Sequence, residues 1–190
     1  MSAKLFIITG PRQAGKSMFC RHLVDLARIA GWQVRGILCP AVFANGQKVA
    51  IEAEALPSGS RRQLATRRLA GQPQTGPATR RWQFDPEVVA WGNRILQQAP
   101  PCDLLVIDEL GPLELERGEG WAAGLTALEG GDYRGAVVVI RPELLAAARH
   151  RWPTACVITI EQVSNSRPAA QKLAARLFGA GQESSSAPAR

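Results

Sequence analysis

"KLFIITGPRQAGKS", residues Lys4 to Ser17, decides how the rest of the chain is read. Lys4 to Thr9 is short, apolar and β-branched, the pattern of a buried strand. Gly10 to Ser17 then fits G-x-x-x-x-G-K-[ST]. Gly10 and Gly15 let the backbone take conformations that a Cβ would forbid, so consecutive N–H groups can turn inward. "SMFCRHLVDLARIAG" follows with Phe19, Leu23, Leu26, Ala27 and Ala30 at helical spacing. A strand, a glycine-rich turn and a helix N-terminus together make an anion-binding concavity. We therefore read Gly10, Pro11, Arg12, Gln13, Ala14, Gly15, Lys16, Ser17 and Met18 as a candidate nucleotide-phosphate cradle. Lys16 brings an ammonium group to the terminal phosphates, and Ser17 offers a hydroxyl to Mg²⁺. The competing reading is a glycine-rich turn with an incidental lysine.

Working outward, "WQVRGILCPAVF" reads as one strand, and Asn45-Gly46 as a hairpin turn leading into "KVAIEAEAL". "RRQLATRRL" reads as a further strand. Residues 40–70 thus form a hairpin insert, and residues 71–84, rich in Gly, Pro and Thr, a mobile loop. Asp85 and Pro86 open a helix as N-cap and first helical residue. "CDLLVIDE" is a continuous apolar strand. A helix is expected over Glu116 to Leu128, a buried strand at "GAVVVIR", a helix from Pro142, a strand at "ACVITI" and a last helix at "RPAAQKLAARLFG". Residues 180–190 read as a disordered polar tail. Strands separated by helices predict one α/β domain over residues 1–179, with a mostly parallel sheet and an antiparallel hairpin extension.

The acidic end of "LLVIDE" supplies the second half of a phosphate site. Asp108 lies at the carboxyl end of a strand, where ligands of open α/β sheets gather. It can anchor the metal that Ser17 binds. Glu109 can orient a water for attack on the γ-phosphate. Arg141 ends the strand "AVVVI" and is a candidate to meet charge developing on the phosphoryl group, or else it caps the next helix. On this reading Glu109, Lys16 and Arg141 are the catalytic candidates, and Ser17 and Asp108 the metal ligands.

Composition narrows the classes. The net charge is +7, and no Asp or Glu occurs from Ala55 to Phe84, where Arg61, Arg62, Arg67, Arg68, Arg80 and Arg81 lie. Such a stretch suits nucleic acid, a membrane surface, an acidic partner, the ligand's own phosphates or plain solvent. The sequence leaves these open, although no aromatic residue is interleaved before Trp82. Cys20, Cys39, Cys102 and Cys156 are scattered, with no zinc-ligand spacing, and read as reduced thiols. No apolar run reaches the ~18–20 residues of a membrane span, and the N-terminus lacks a cleavage-site pattern. A cytoplasmic monomer is the expectation.

"VIDELGPLEL", Val106 to Leu115, resembles the signature D-E-[IL]-G-x-[ML]-E-L of a family of small P-loop nucleoside-triphosphatases, the cancer-related enzyme and its thermophile homologues. The order of elements is similar over about residues 3–178. The resemblance implies a three-layer RecA-like fold and slow, Mg²⁺-dependent hydrolysis of ATP, GTP and other nucleoside triphosphates, with little base selectivity. Gly10, Gly15, Lys16, Ser17, Asp108 and Glu109 match its motifs. Glu114 matches a later Glu whose role the sequence does not give. The alternatives carried forward are a P-loop kinase and a nucleotide-dependent adaptor using the basic insert.

Overall fold

The structure, a computed structural model, describes residues 4–68, 76–79 and 81–178. The chain runs β1 (Lys4–Thr9), α1 (Lys16–Ile29), β2 (Val34–Leu38), β3 (Ala41–Ala44), β4 (Gln47–Ala55), β5 (Arg61–Arg67), β6 (Trp82–Phe84) and α2 (Pro86–Gln97). It continues with β7 (Cys102–Leu110), α3 (Pro112–Arg117), α4 (Ala122–Gly130), β8 (Tyr133–Ile140), α5 (Leu145–Arg151), β9 (Cys156–Thr159) and α6 (Ser166–Phe178).

The strands form one sheet in the order β6-β5-β4-β2-β7-β8-β1-β9, with β3 paired to β4. β2, β7, β8, β1 and β9 are parallel; β3, β4, β5 and β6 continue the sheet antiparallel. β8 lies between the cradle strand β1 and the acidic strand β7. The parallel strands and their antiparallel extension are those the sequence predicts.

Three layers follow from strand periodicity. Successive side chains of a strand point to opposite faces. Phe6 and Ile8 of β1 pack with Phe19 and Leu23 of α1 and with Leu173 and Leu177 of α6. Ile7, between them, joins Leu96 of α2 and Leu128 of α4 on the other face. Phe6, Ile7 and Ile8 are all fully buried, and burying such a side chain stabilises by about 1.5–3 kcal/mol. The cradle strand is therefore locked from both sides.

Several local expectations hold. The Asp85 side chain accepts from the N–H groups of Glu87 and Val88, and Asn45 and Gly46 take positive φ at the β3–β4 turn. Others need correction. The single strand expected from Trp32 to Phe43 is two, β2 and β3, interrupted at Cys39-Pro40, because a proline cannot donate to the ladder. The helix expected over Glu116–Leu128 is α3 plus α4, because Gly118 and Gly120 take positive φ between them. Trp82 to Phe84, read as the end of a loop, is β6 at the edge of the sheet. Residues 71–75, Arg80 and the tail 180–190 lie outside the described residues.

Candidate active site

The cradle is shaped by close approaches to its two glycines, one from backbone and one from a side chain. A Cβ on Gly10 (φ +143°) would sit 1.9 Å from the Ile160 carbonyl oxygen, and one on Gly15 (φ +97°) 2.2 Å from Ser166 Oγ. Both positions exclude any side chain. Ser166, fully buried at the start of α6, donates to the Gly15 carbonyl at 3.0 Å. The loop is thus braced from the segment after β9. Ala14 is buried, whereas Pro11, Arg12, Gln13 and Met18 face solvent. Lys16 opens α1, and its Nζ donates back to the carbonyls of Gly10 (2.8 Å) and Pro11 (2.6 Å). Burial lowers the Lys16 pKa, and the nearby Glu109 carboxylate opposes that shift.

Ser17 Oγ donates to Asp108 Oδ1 at 3.1 Å, joining the cradle to β7. Asp108 is buried, and its other oxygen accepts from the Cys39 N–H at 3.0 Å. Burial raises its pKa, and the Cys39 and Ser17 hydrogen bonds pull the other way.

Strict alternation would send Asp108 and Glu109 to opposite faces of the sheet. A bulge prevents this. Between Ile107 and Leu110, β7 advances three positions while β8 advances two, from Val138 to Ile140. The extra residue bends the strand, and Glu109 takes φ +85°, a conformation that non-glycine residues hold only under constraint. Both acids then line one cavity, together with Ser17 and Arg141. Arg141, directly after β8, forms an ion pair with Glu109 through its Nε.

Glu114 lines the same cavity, with its carboxylate engaged by the backbone. Its carboxylate accepts from the Gly111 N–H (2.7 Å) and the Trp121 N–H (2.9 Å). It braces the segment after the acid pair, and burial raises its pKa against those two bonds.

Sequence reasoning missed Lys48 and Ser166. Lys48 lies on β4, its Nζ 5.1 Å from the Trp82 ring centre, and it lines the cavity that holds the acid pair. Burial lowers its pKa, and Glu109 is the first of the groups that raise it. No spacing in the sequence reveals either residue, since each reaches the site only through tertiary folding. The arginine stretch is partly accounted for within the fold. Arg61 pairs with Glu54 at 2.8 Å, Arg62 lies over the Trp91 ring, and Arg67 donates to Gln47.

Residues 5–161 match the protein family described as NTPase. The chain belongs to that NTPase family. Nucleoside-triphosphatase THEP1 of Ignicoccus hospitalis is 38% identical over 109 residues, 57% of this chain and 60% of that protein. The protein of the same name from Methanopyrus kandleri is 28% identical over 110 residues, 58% of this chain and 59% of its own length. The match thus spans about three fifths of these curated relatives. The solution structure of a human cancer-related nucleoside triphosphatase superposes with a TM-score of 0.66 over 96% of this chain and 100% of its own, at 19% identity. That likeness shows a shared NTPase fold.

Proposed function

We propose that this member of the NTPase family hydrolyses nucleoside 5′-triphosphates, ATP and GTP among them, to the diphosphate and phosphate in an Mg²⁺-dependent reaction, slowly and with broad base tolerance. The observation that carries the reading is the convergence of Ser17, Asp108, Glu109 and Arg141 on one cavity beside the glycine loop.

The donor set fits Mg²⁺. Ser17 Oγ and Asp108 Oδ1 are hard oxygen donors 3.1 Å apart, and Mg²⁺ prefers a few protein oxygens completed by phosphate and water. Among the described residues no group of three or more His, Cys, Asp or Glu forms a separate metal site. Ser17 and Asp108 would hold the ion, which when bound neutralises charge on the β- and γ-phosphates.

The chain's own groups do the rest. Backbone N–H groups of the loop and the Lys16 ammonium bind the phosphates. Glu109 orients the attacking water and takes its proton. Arg141 stands beside Glu109 to meet charge developing on the phosphoryl oxygens. Every group named comes from one chain, so a monomer suffices. The names of the THEP1 relatives support the same activity.

We read the protein as cytoplasmic, in keeping with four cysteines that form no disulfide. Among the described residues no helix is long and apolar enough to cross a membrane. A nucleic-acid or acidic protein partner is the weaker reading, because Arg61, Arg62 and Arg67 already have partners within the fold.

The test is phosphate release from ATP, GTP, CTP and UTP with and without Mg²⁺, using Lys16→Ala as the blank. Release with all four nucleotides that stops on chelation supports the reading. No release above the blank overturns it.

A further inference from the structure

The cavity beside the acid pair, about 110 Å³, carries more apolar wall than hydrolysis requires. At its acidic end hydrolysis needs room for the metal with its waters, the γ-phosphoryl group and the attacking water, all of them polar. Of the glycine loop only Ser17 reaches it, so it extends from the acids away from the phosphate cradle. Its far wall is made of Ile51, Leu64, Trp82, Phe84, Leu113 and Trp121. Water gains little from such a surface, whereas a flat organic ring gains both area and aromatic contact.

The wall comes largely from the antiparallel extension: Ile51 from β4, Leu64 from β5, Trp82 and Phe84 from β6. The extension also brings in a cation, Lys48. Among the described residues, no carboxylate lies within ion-pair distance of its ammonium, which rests over Trp82. The acids nearby are engaged elsewhere: Glu109 with Arg141, Glu114 with two backbone N–H groups, and Asp108 with Ser17 and Cys39. A half-buried cation over an aromatic ring favours an anionic group on whatever enters.

We propose that this cavity seats a second substrate, a ring-bearing alcohol with an acidic substituent, and that the γ-phosphoryl group passes to its hydroxyl. The inference rests on the triphosphatase reading above, with hydrolysis as the outcome when water takes the alcohol's place. The alcohol oxygen forms a bond to the γ-phosphorus. The bond from that phosphorus to the bridging oxygen breaks, and its electron pair leaves with the nucleoside diphosphate. The hydroxyl proton goes to the Glu109 carboxylate and then to solvent. The products are a phosphate monoester and the diphosphate, with no oxidant or reductant involved.

The experiment uses the full chain with Mg²⁺ and ATP labelled in its γ-phosphate. The probes are para-hydroxymethylbenzoate, benzyl alcohol, which lacks the acid, and para-methylbenzoate, which lacks the hydroxyl. ADP, free phosphate and phosphate ester are measured separately, and binding is followed by tryptophan fluorescence. With para-hydroxymethylbenzoate, ADP should exceed free phosphate, and the shortfall should be recovered as its ester. Benzyl alcohol should give less ester. Para-methylbenzoate should bind and give none, and Lys48→Met should weaken its binding by ~10-fold or more. ADP equal to phosphate with both alcohols overturns the acceptor role while leaving hydrolysis intact. Tryptophan fluorescence unchanged by every probe overturns the second site itself. Absence of both ADP and phosphate, with and without probes, is the separate failure of the triphosphatase reading.

Discussion

The Glu109 carboxylate accepts a charge-assisted hydrogen bond from Arg141 Nε, tying the acid at the β7 bulge to the arginine after β8. On the proposed reading, the carboxylate that would orient water is thus held by the cation that would meet charge on the phosphoryl group. Both side chains are about one-third exposed, at 34% and 29%, so a nucleotide can reach them without unfolding the site. Arg141→Ala should lower kcat by ~10²–10³-fold, the usual effect of losing one such donor. Nucleotide affinity should stay within a few-fold. Single-turnover rates beside equilibrium binding check this; equal losses in both would assign Arg141 to ground-state binding.

Lys16 has the opposite signature. Its ammonium is held by two loop carbonyls, those of Gly10 and Pro11. Lys16→Ala should weaken triphosphate binding by ~10-fold or more, as loss of a charge-assisted contact does. Thermal stability should change little, since no carboxylate is left unpaired. Titration with a fluorescent nucleotide, beside a melting curve, separates the two effects.

Glu54 makes stability depend on acid. It is buried, takes two hydrogen bonds from Arg21 of α1 at 2.6 and 2.7 Å, and pairs with Arg61 of β5 at 2.8 Å. The hydrogen bond from Arg21 is the largest cause holding its pKa below the ordinary glutamate value. A depressed carboxylate pKa contributes stability that is complete above the unfolded value, about 4.3. That contribution is lost as pH falls through the lower folded value. Wild type should therefore lose stability below about pH 4.3 more steeply than Glu54→Gln. At neutral pH Glu54→Gln should be less stable by about 1–3 kcal/mol. Urea melts of both proteins across this range check the sign. Parallel curves would show that Glu54 does not set the acid dependence of stability.

Gly92 sets how closely α2 approaches Trp121 and β2. A Cβ there would lie 2.6 Å from Trp121 Nε1 and 3.2 Å from Ile37 Cδ1. Alanine gains about 1 kcal/mol of helix propensity over glycine. Overpacking against a buried indole costs about 1–3 kcal/mol, so the clash should win or at best cancel. Gly92→Ala should lower Tm or leave it unchanged. A clear rise would show that Trp121 can move, and with it one wall of the cavity.

The cradle and the acid pair were legible because each is a local pattern: a strand, a fixed glycine spacing and a helix start, or an apolar run ending in two carboxylates. The layered fold was legible for the same reason, since periods of 2 and 3.6 report burial directly. Three features were not. The bulge that brings Glu109 beside Asp108 depends on the register of β7 against β8, which no single strand encodes. The split of α3 from α4 turns on Gly118 and Gly120, whose positive φ the apolar spacing of Glu116 to Leu128 concealed. Lys48 and Trp82 meet only after the hairpin folds back and β6 joins the sheet edge. Their roles arise from contacts more than 30 positions apart in the sequence.

Glu109→Gln tests at once whether the glycine loop grips a triphosphate and whether Glu109 directs its hydrolysis. The measurement is equilibrium binding of Mg²⁺-ATP together with phosphate release, on wild type and variant. Binding should stay within a few-fold of wild type, and phosphate release should slow by ~10²–10⁴-fold; these are the results expected if both are true. A variant that releases phosphate at the wild-type rate, or a wild type that binds no nucleotide, contradicts this reading.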